Sequence, residues 1–137
     1  RRAIGASMVL RRVILAALSI AVLPLALAAQ DRGAPEASFL DKQTAILHAL
    51  DKIPARVSKL EASVGERVRF GRLIIDVKAC RVRPPDEPPE SAAFLEIMDL
   101  GRDLQPVQVF RGWMFASSPS LSAMEHPLYD IWVAGCE

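Results

Sequence analysis

Residues 67–82 read "RVRFGRLIIDVKACRV", and the period of this stretch decides the fold class. Arg67, Val68, Arg69 and Phe70 alternate polar with apolar, as in a strand buried on one side. Gly71 and Arg72 make a bend. Beyond it Leu73, Ile75, Val77 and Ala79 share one face, while Asp76, Lys78 and Cys80 share the other. A half-cystine on the polar face is expected near a strand end, where it can cross to a neighbour.

The same period extends outward in both directions. "ARVSKLEA" offers Val57 and Leu60 as a weak earlier strand. Residues 83–90, "RPPDEPPE", hold four prolines and three acids, a density that no strand or helix interior tolerates. They read as a stiff exposed connector, with a proline-motif ligand as the sharper alternative. "SAAFLEIMDL" resumes as a strand whose two faces both look covered, Leu95 and Ile97 lying opposite Phe94 and Met98. After the turn "GRDLQP", "VQVFRGWMF" places Val107, Val109, Trp113 and Phe115 on one face. "PLYDIWVAG" then sets Tyr129, Ile131 and Val133 against Leu128, Trp132 and Cys136. Short strands between Gly and Pro turns predict a small antiparallel β-sandwich or barrel-like domain. Parallel pairing is not expected, because no connection here is long enough for a crossover helix.

One helix is expected before the strands. In "SFLDKQTAILHALDK", Leu40, Ile46, Leu47 and Leu50 recur at helical spacing, with Ser38 and Asp41 as a possible cap and Pro54 as the stop. The chain therefore divides into a signal peptide over 1–29, a disordered linker over 30–38, and a single β domain over 39–137. The short helix opens that domain at about 39–52.

The first segment carries the cellular address. Arg1, Arg2, Arg11 and Arg12 precede the apolar run "VILAALSIAVLPLALAA", and Ala26 and Ala28 form an Ala-x-Ala exit. A basic start, an apolar middle and a small-residue exit describe a secretory signal peptide, so a periplasmic location is expected. A retained membrane anchor is the alternative, and the only membrane contact expected is through this segment if it stays uncleaved. Four of the 17 Lys and Arg residues lie before the cleavage site, leaving 13 against 16 Asp and Glu, a mature net charge of −3. A mildly acidic domain has no basic face for phosphate, so nucleic acid is not an expected partner. Two cysteines, Cys80 and Cys136, in an oxidising compartment predict one disulfide rather than redox or zinc chemistry.

The closing stretch, residues 112–137, raises the question of catalysis. Ser117 and Ser118 lack a Gly-x-Ser-x-Gly elbow, and His126 precedes Pro127, which favours an extended backbone there. Asp130 could reach His126 only if the strand curled back. No catalytic residues, metal ligands or cofactor are expected. Glu90, Glu96 and Glu125 stand in no context that suggests glycoside hydrolysis. Aromatic and methionine side chains are enriched at interface cores, which makes Trp113, Met114, Phe115, Leu121 and Met124 candidate partner-binding residues.

The blocks "RPPDEPPESAAFLEI" and "GWMFASSP…EHPLYDIW" are unusual strings. Through them, residues 51–136 resemble an uncharacterised family of exported alphaproteobacterial proteins, the domain of unknown function numbered 2155. Pro54 departs from the polar residue the resemblance leads one to expect. The resemblance implies a periplasmic address and the cysteine pair, and it supplies no activity. The expected function is a non-enzymatic β domain binding a protein or envelope partner. The alternative is a small periplasmic hydrolase using Ser117 or Ser118 with His126.

Overall fold

The computed structural model describes residues 38–137. The proposed signal peptide, and the linker up to residue 37, lie outside the described residues. Eight strands follow: β1 (Leu40–Lys42), β2 (Thr44–Asp51), β3 (Arg56–Ser63), β4 (Arg67–Phe70), β5 (Leu73–Val82), β6 (Ser91–Leu100), β7 (Pro106–Phe115) and β8 (Tyr129–Cys136). A single 3-10 turn, Pro119–Ser122, interrupts the loop before β8.

The strands form two antiparallel sheets, without a closed barrel. In the larger, β5 pairs with β6 and β6 with β7, while β4 and β1 share the other edge of β5, one beside each of its ends. The smaller sheet has the order β3-β2-β8. Leu73, Ile75, Val77, Leu95 and Ile97 of the larger sheet meet Ala45, Leu47, Ile131 and Val133 of the smaller in one core. The alternation read from residues 67–77 is therefore the inward face of the larger sheet.

The expected helix at 39–52 is not formed, and its residues build β1 and β2. Ala45, Leu47 and Ala49, at period two, are completely buried. β2 is the centre of its sheet and donates ladder bonds to both β3 and β8. A helix of this length gains little without a partner face, whereas a central strand satisfies its backbone on both sides. The segment carries both periods, and its pairing partners select the second.

Two β-bulges correct the predicted faces of the cysteines. Lys78 is the extra residue between Val77 and Ala79, so the parity of β5 flips and Cys80 points inward opposite Ala93. Ala134 is skipped in the same way on β8, which brings Cys136 opposite the buried Ala45. A bulge reverses the side-chain alternation beyond it. The two sulfurs join in a disulfide, with Cα atoms 5.7 Å apart, that ties the larger sheet to the smaller. A third irregularity, at Val109, places Trp113 and Phe115 on the face opposite Val107, where unbroken alternation had put all three together.

Two non-glycine residues, Ala55 and Leu104, hold left-handed backbone with φ of 53° and 59°. Each such residue costs about 1 kcal/mol or more relative to glycine.

The bridge spans a sequence separation of 56 residues, for which the chain-entropy relation gives about 4 kcal/mol. Cys136→Ser, or reduction, should lower unfolding stability in urea by about 2–5 kcal/mol. Amide exchange should rise first along β8. Two titratable thiols in the denatured, unreduced protein would contradict the bridge.

Candidate functional site

The residues proposed for hydrolysis separate onto two ends of β6. At its start, Glu90 receives the Ser117 hydroxyl, the Ser117 amide at 3.1 Å and the Ser91 amide at 3.0 Å. Desolvation pushes the Glu90 carboxyl up, but the hydrogen bonds from Ser117 and Ser91 outweigh it and hold the group below the usual range. Ser117 is thus bound to an ionised carboxylate already committed to backbone donors, a poor general base. The Ser118 hydroxyl meets only the neighbouring Ser117 hydroxyl, at 3.5 Å.

His126 lies at the far end against Asp99, which is nine residues along extended chain from Glu90, or about 30 Å. It is 7% exposed, stacked on the Tyr129 ring with centroids 5.2 Å apart. The amides of Leu128 and Tyr129 donate to its Nδ1 at 3.1 and 3.2 Å. The proton therefore sits on Nε2, which donates to Asp99 at 3.0 Å. Arg72 grips the same carboxylate through Nε and Nη2, and holds Asp99 below the ordinary carboxylate range against the effect of burial, with His126 adding to the pull. Lys52 completes the cluster, donating to the His126 carbonyl at 2.9 Å and pairing with Asp130. Neither nitrogen of His126 is available to a substrate. The cluster is a clamp that fastens the loop before β8 onto the larger sheet, a role with no motif in the sequence.

Among the described residues, no three His, Cys, Asp or Glu side chains converge to hold a metal ion.

The partner-binding candidates also divide. Met114 and Met124, 2% and 4% exposed, lie in the core. Leu121 projects from the 3-10 turn into solvent. Trp113 and Phe115 stand half-buried on the outer face of the larger sheet. Trp113 faces Phe94 in a T-shaped pair with centroids 5.5 Å apart, and Phe115 is paired across the strands with Ala92. Arg81 lies over the Trp113 ring at 5.4 Å and is ion-paired with Asp41, while Arg83 lies over Phe39 at 5.8 Å. Phe39, Arg81, Ala92, Trp113 and Phe115 line an open cleft of about 240 Å³. Further along the same face the character changes to charge, with Arg67–Asp76 at 2.8 Å and Arg111–Glu96 at 3.1 Å. Phe39 and Arg81 could not be assigned to this cleft from local sequence, because cross-strand register brings them beside Trp113.

A larger hollow, about 350 Å³, lies under the closing loop between Pro119 and Trp132. It lacks the paired aromatic and guanidinium walls of the first.

Residues 45–136 match the model of a family described as an uncharacterised protein conserved in bacteria, DUF2155. The chain belongs to this family. It is similar to an uncharacterised protein of Rickettsia prowazekii (strain Madrid E), 31% identical over 100 residues. That match covers 73% of this chain and 64% of the relative, so the chain spans somewhat under two thirds of the relative's length. No solved structure matches it.

The clamp is testable through its acid limb. The folded Asp99 value lies below the unfolded one of about 3.9, so the ionised carboxylate stabilises above about pH 4. That contribution is lost as pH falls toward the folded value. Asp99→Asn should therefore flatten the decline of the thermal midpoint between about pH 4 and pH 2 relative to the wild type. Parallel declines would count against the clamp. His126→Ala should cost about 2–3 kcal/mol, since two amides and a carboxylate lose their partner. Ser117→Ala, at an exposed site, should cost less than about 1 kcal/mol in the same urea titration.

Proposed function

We propose that this member of the family is a non-enzymatic binding domain of the periplasm, and that it engages a protein or envelope partner through the aromatic end of its larger sheet. The observation that carries the reading is the outer-face cluster of Phe94, Trp113 and Phe115 beside Phe39, flanked by Arg81 and Arg83. The solvated face of an antiparallel sheet is ordinarily polar, as it is on the neighbouring charged belt of Asp76, Glu96 and Arg111. Aromatic side chains set beside guanidinium groups are the residue types that dominate binding energy at interfaces. The periplasmic address is supported by the Cys80–Cys136 bridge and by the apolar segment before Gln30. Hydrolysis finds no support, because Ser117 and His126 have separate partners at opposite ends of β6.

Photocrosslinking in cells tests the surface directly. A benzophenone amino acid in place of Phe115 should yield a discrete adduct, and the same group in place of Asp76 should not. Equal adducts at both positions, or none at 115, would sink the proposal. So would labelling of the folded wild type by an active-site serine probe. Trp113→Ser should abolish the adduct while lowering stability by no more than about 2 kcal/mol, since the ring is only half-buried.

A further inference from the structure

The opposite end of the sandwich carries a second, different surface. Four connections converge there: the β2–β3 turn, the β4–β5 bend, the β6–β7 hairpin and the last residues of the loop before β8, from His126 to Leu128. Hydrogen bonds place them together, with Lys52 donating to the Leu128 carbonyl at 2.9 Å, Leu100 to the Arg72 carbonyl at 3.0 Å, and His126 to Asp99. From this end project Ile53, 78% exposed, Leu104, 72% exposed, and Val107, 60% exposed.

Isolated apolar residues on a surface are ordinary, but these are not placed as fold stability would place them. Leu104 closes a turn whose amide bonds back to Gly101 at 3.0 Å, and it does so in left-handed backbone that glycine or asparagine adopts at less cost. The strained turn holds a leucine that is mostly in water. Ala55, two residues after Ile53, is left-handed as well. Two hairpins from different sheets thus spend backbone strain at tips that bear large apolar side chains on one end of the molecule.

We infer that this end inserts its apolar tips into the interfacial region of a phospholipid bilayer. Ile53 and Leu104 belong to separate hairpins, β2–β3 and β6–β7, of different sheets. A rigid protein partner needs a contiguous complementary patch, whereas a fluid lipid surface closes around separate tips. The charged groups at this end set the character of the contact. Among the described residues, Arg56, Arg69 and Arg102 pair with no carboxylate, and Asp51, Asp103 and Glu125 lie in or beside the same turns, so the end is close to neutral. Lys52–Asp130 and Arg72–Asp99 are already paired. Insertion therefore rests on the side chains of Ile53, Leu104 and Val107 and persists on zwitterionic lipid and at high salt. The contact is independent of residues 13–29, and it leaves the aromatic cleft, at the other end of β6, facing away from the lipid.

The test uses the full chain bound to phosphatidylcholine vesicles that contain brominated lipid, which quenches tryptophan within the bilayer. Leu104→Trp and Ile53→Trp should each add a blue-shifted, bromine-quenched emission component to that of the wild type. Leu121→Trp, at an equally exposed residue away from these hairpins, should add an unquenched one. The two quenched components should survive 0.5 M salt. Water-exposed, unquenched emission at both 53 and 104 would overturn the inference. Equal quenching at 53, 104 and 121 would overturn it too, because tethering alone would then explain the signal. If one tip variant fails to fold by circular dichroism, the other carries the same decision.

Discussion

The covalent link between Cys80 and Cys136 is the constraint on which the arrangement of the two sheets turns. It joins β5, the strand with the most pairing partners in the larger sheet, to β8 at the edge of the smaller. Neither cysteine could reach the core on an unbroken strand. The extra residues Lys78 and Ala134 reverse the alternation at the required points, so that both sulfurs enter the space between the sheets. The bridge also holds β8, whose last residue is the half-cystine itself.

The second fastening is polar and lies far from the bridge. Arg72, Asp99, His126 and Lys52 clamp the long loop before β8, and Met124 anchors the same loop by burial. The histidine that invited a catalytic reading is used up by this task. Its two nitrogens have protein partners, and its ring is stacked on Tyr129. Bridge and clamp together leave the outer faces and loop tips free to vary in character, which is where binding residues can be placed without cost to the core.

The molecule is accordingly polarised. One end of the larger sheet shows aromatic rings beside guanidinium groups, the middle shows compensated charge, and the other end shows isolated apolar tips on strained turns. The three zones lie along β6 and differ in the partner chemistry they suit. Ser117, His48 and His126 are scattered, His48 resting edge-on against Trp132.

The sequence by itself determined the β class, the turn positions, the pairing of two lone cysteines, and the inward set of Tyr129, Ile131 and Val133. Each of these depends on residue type and local period, which neighbours in the chain express directly. Tertiary structure alone decided that residues 44–51 form a strand, that Cys80 and Cys136 turn inward, and that Trp113 parts company with Val107. The segment at 44–51 carries both periods, and only the ladders to β3 and β8 discriminate between them. Bulges arise where the registers of two strands must be reconciled, and no pattern within one strand announces them. The aromatic cleft and the His126 clamp were illegible for the same reason. Their members, Phe39 with Trp113 and Arg72 with Asp99 and His126, are distant in sequence and meet only through register.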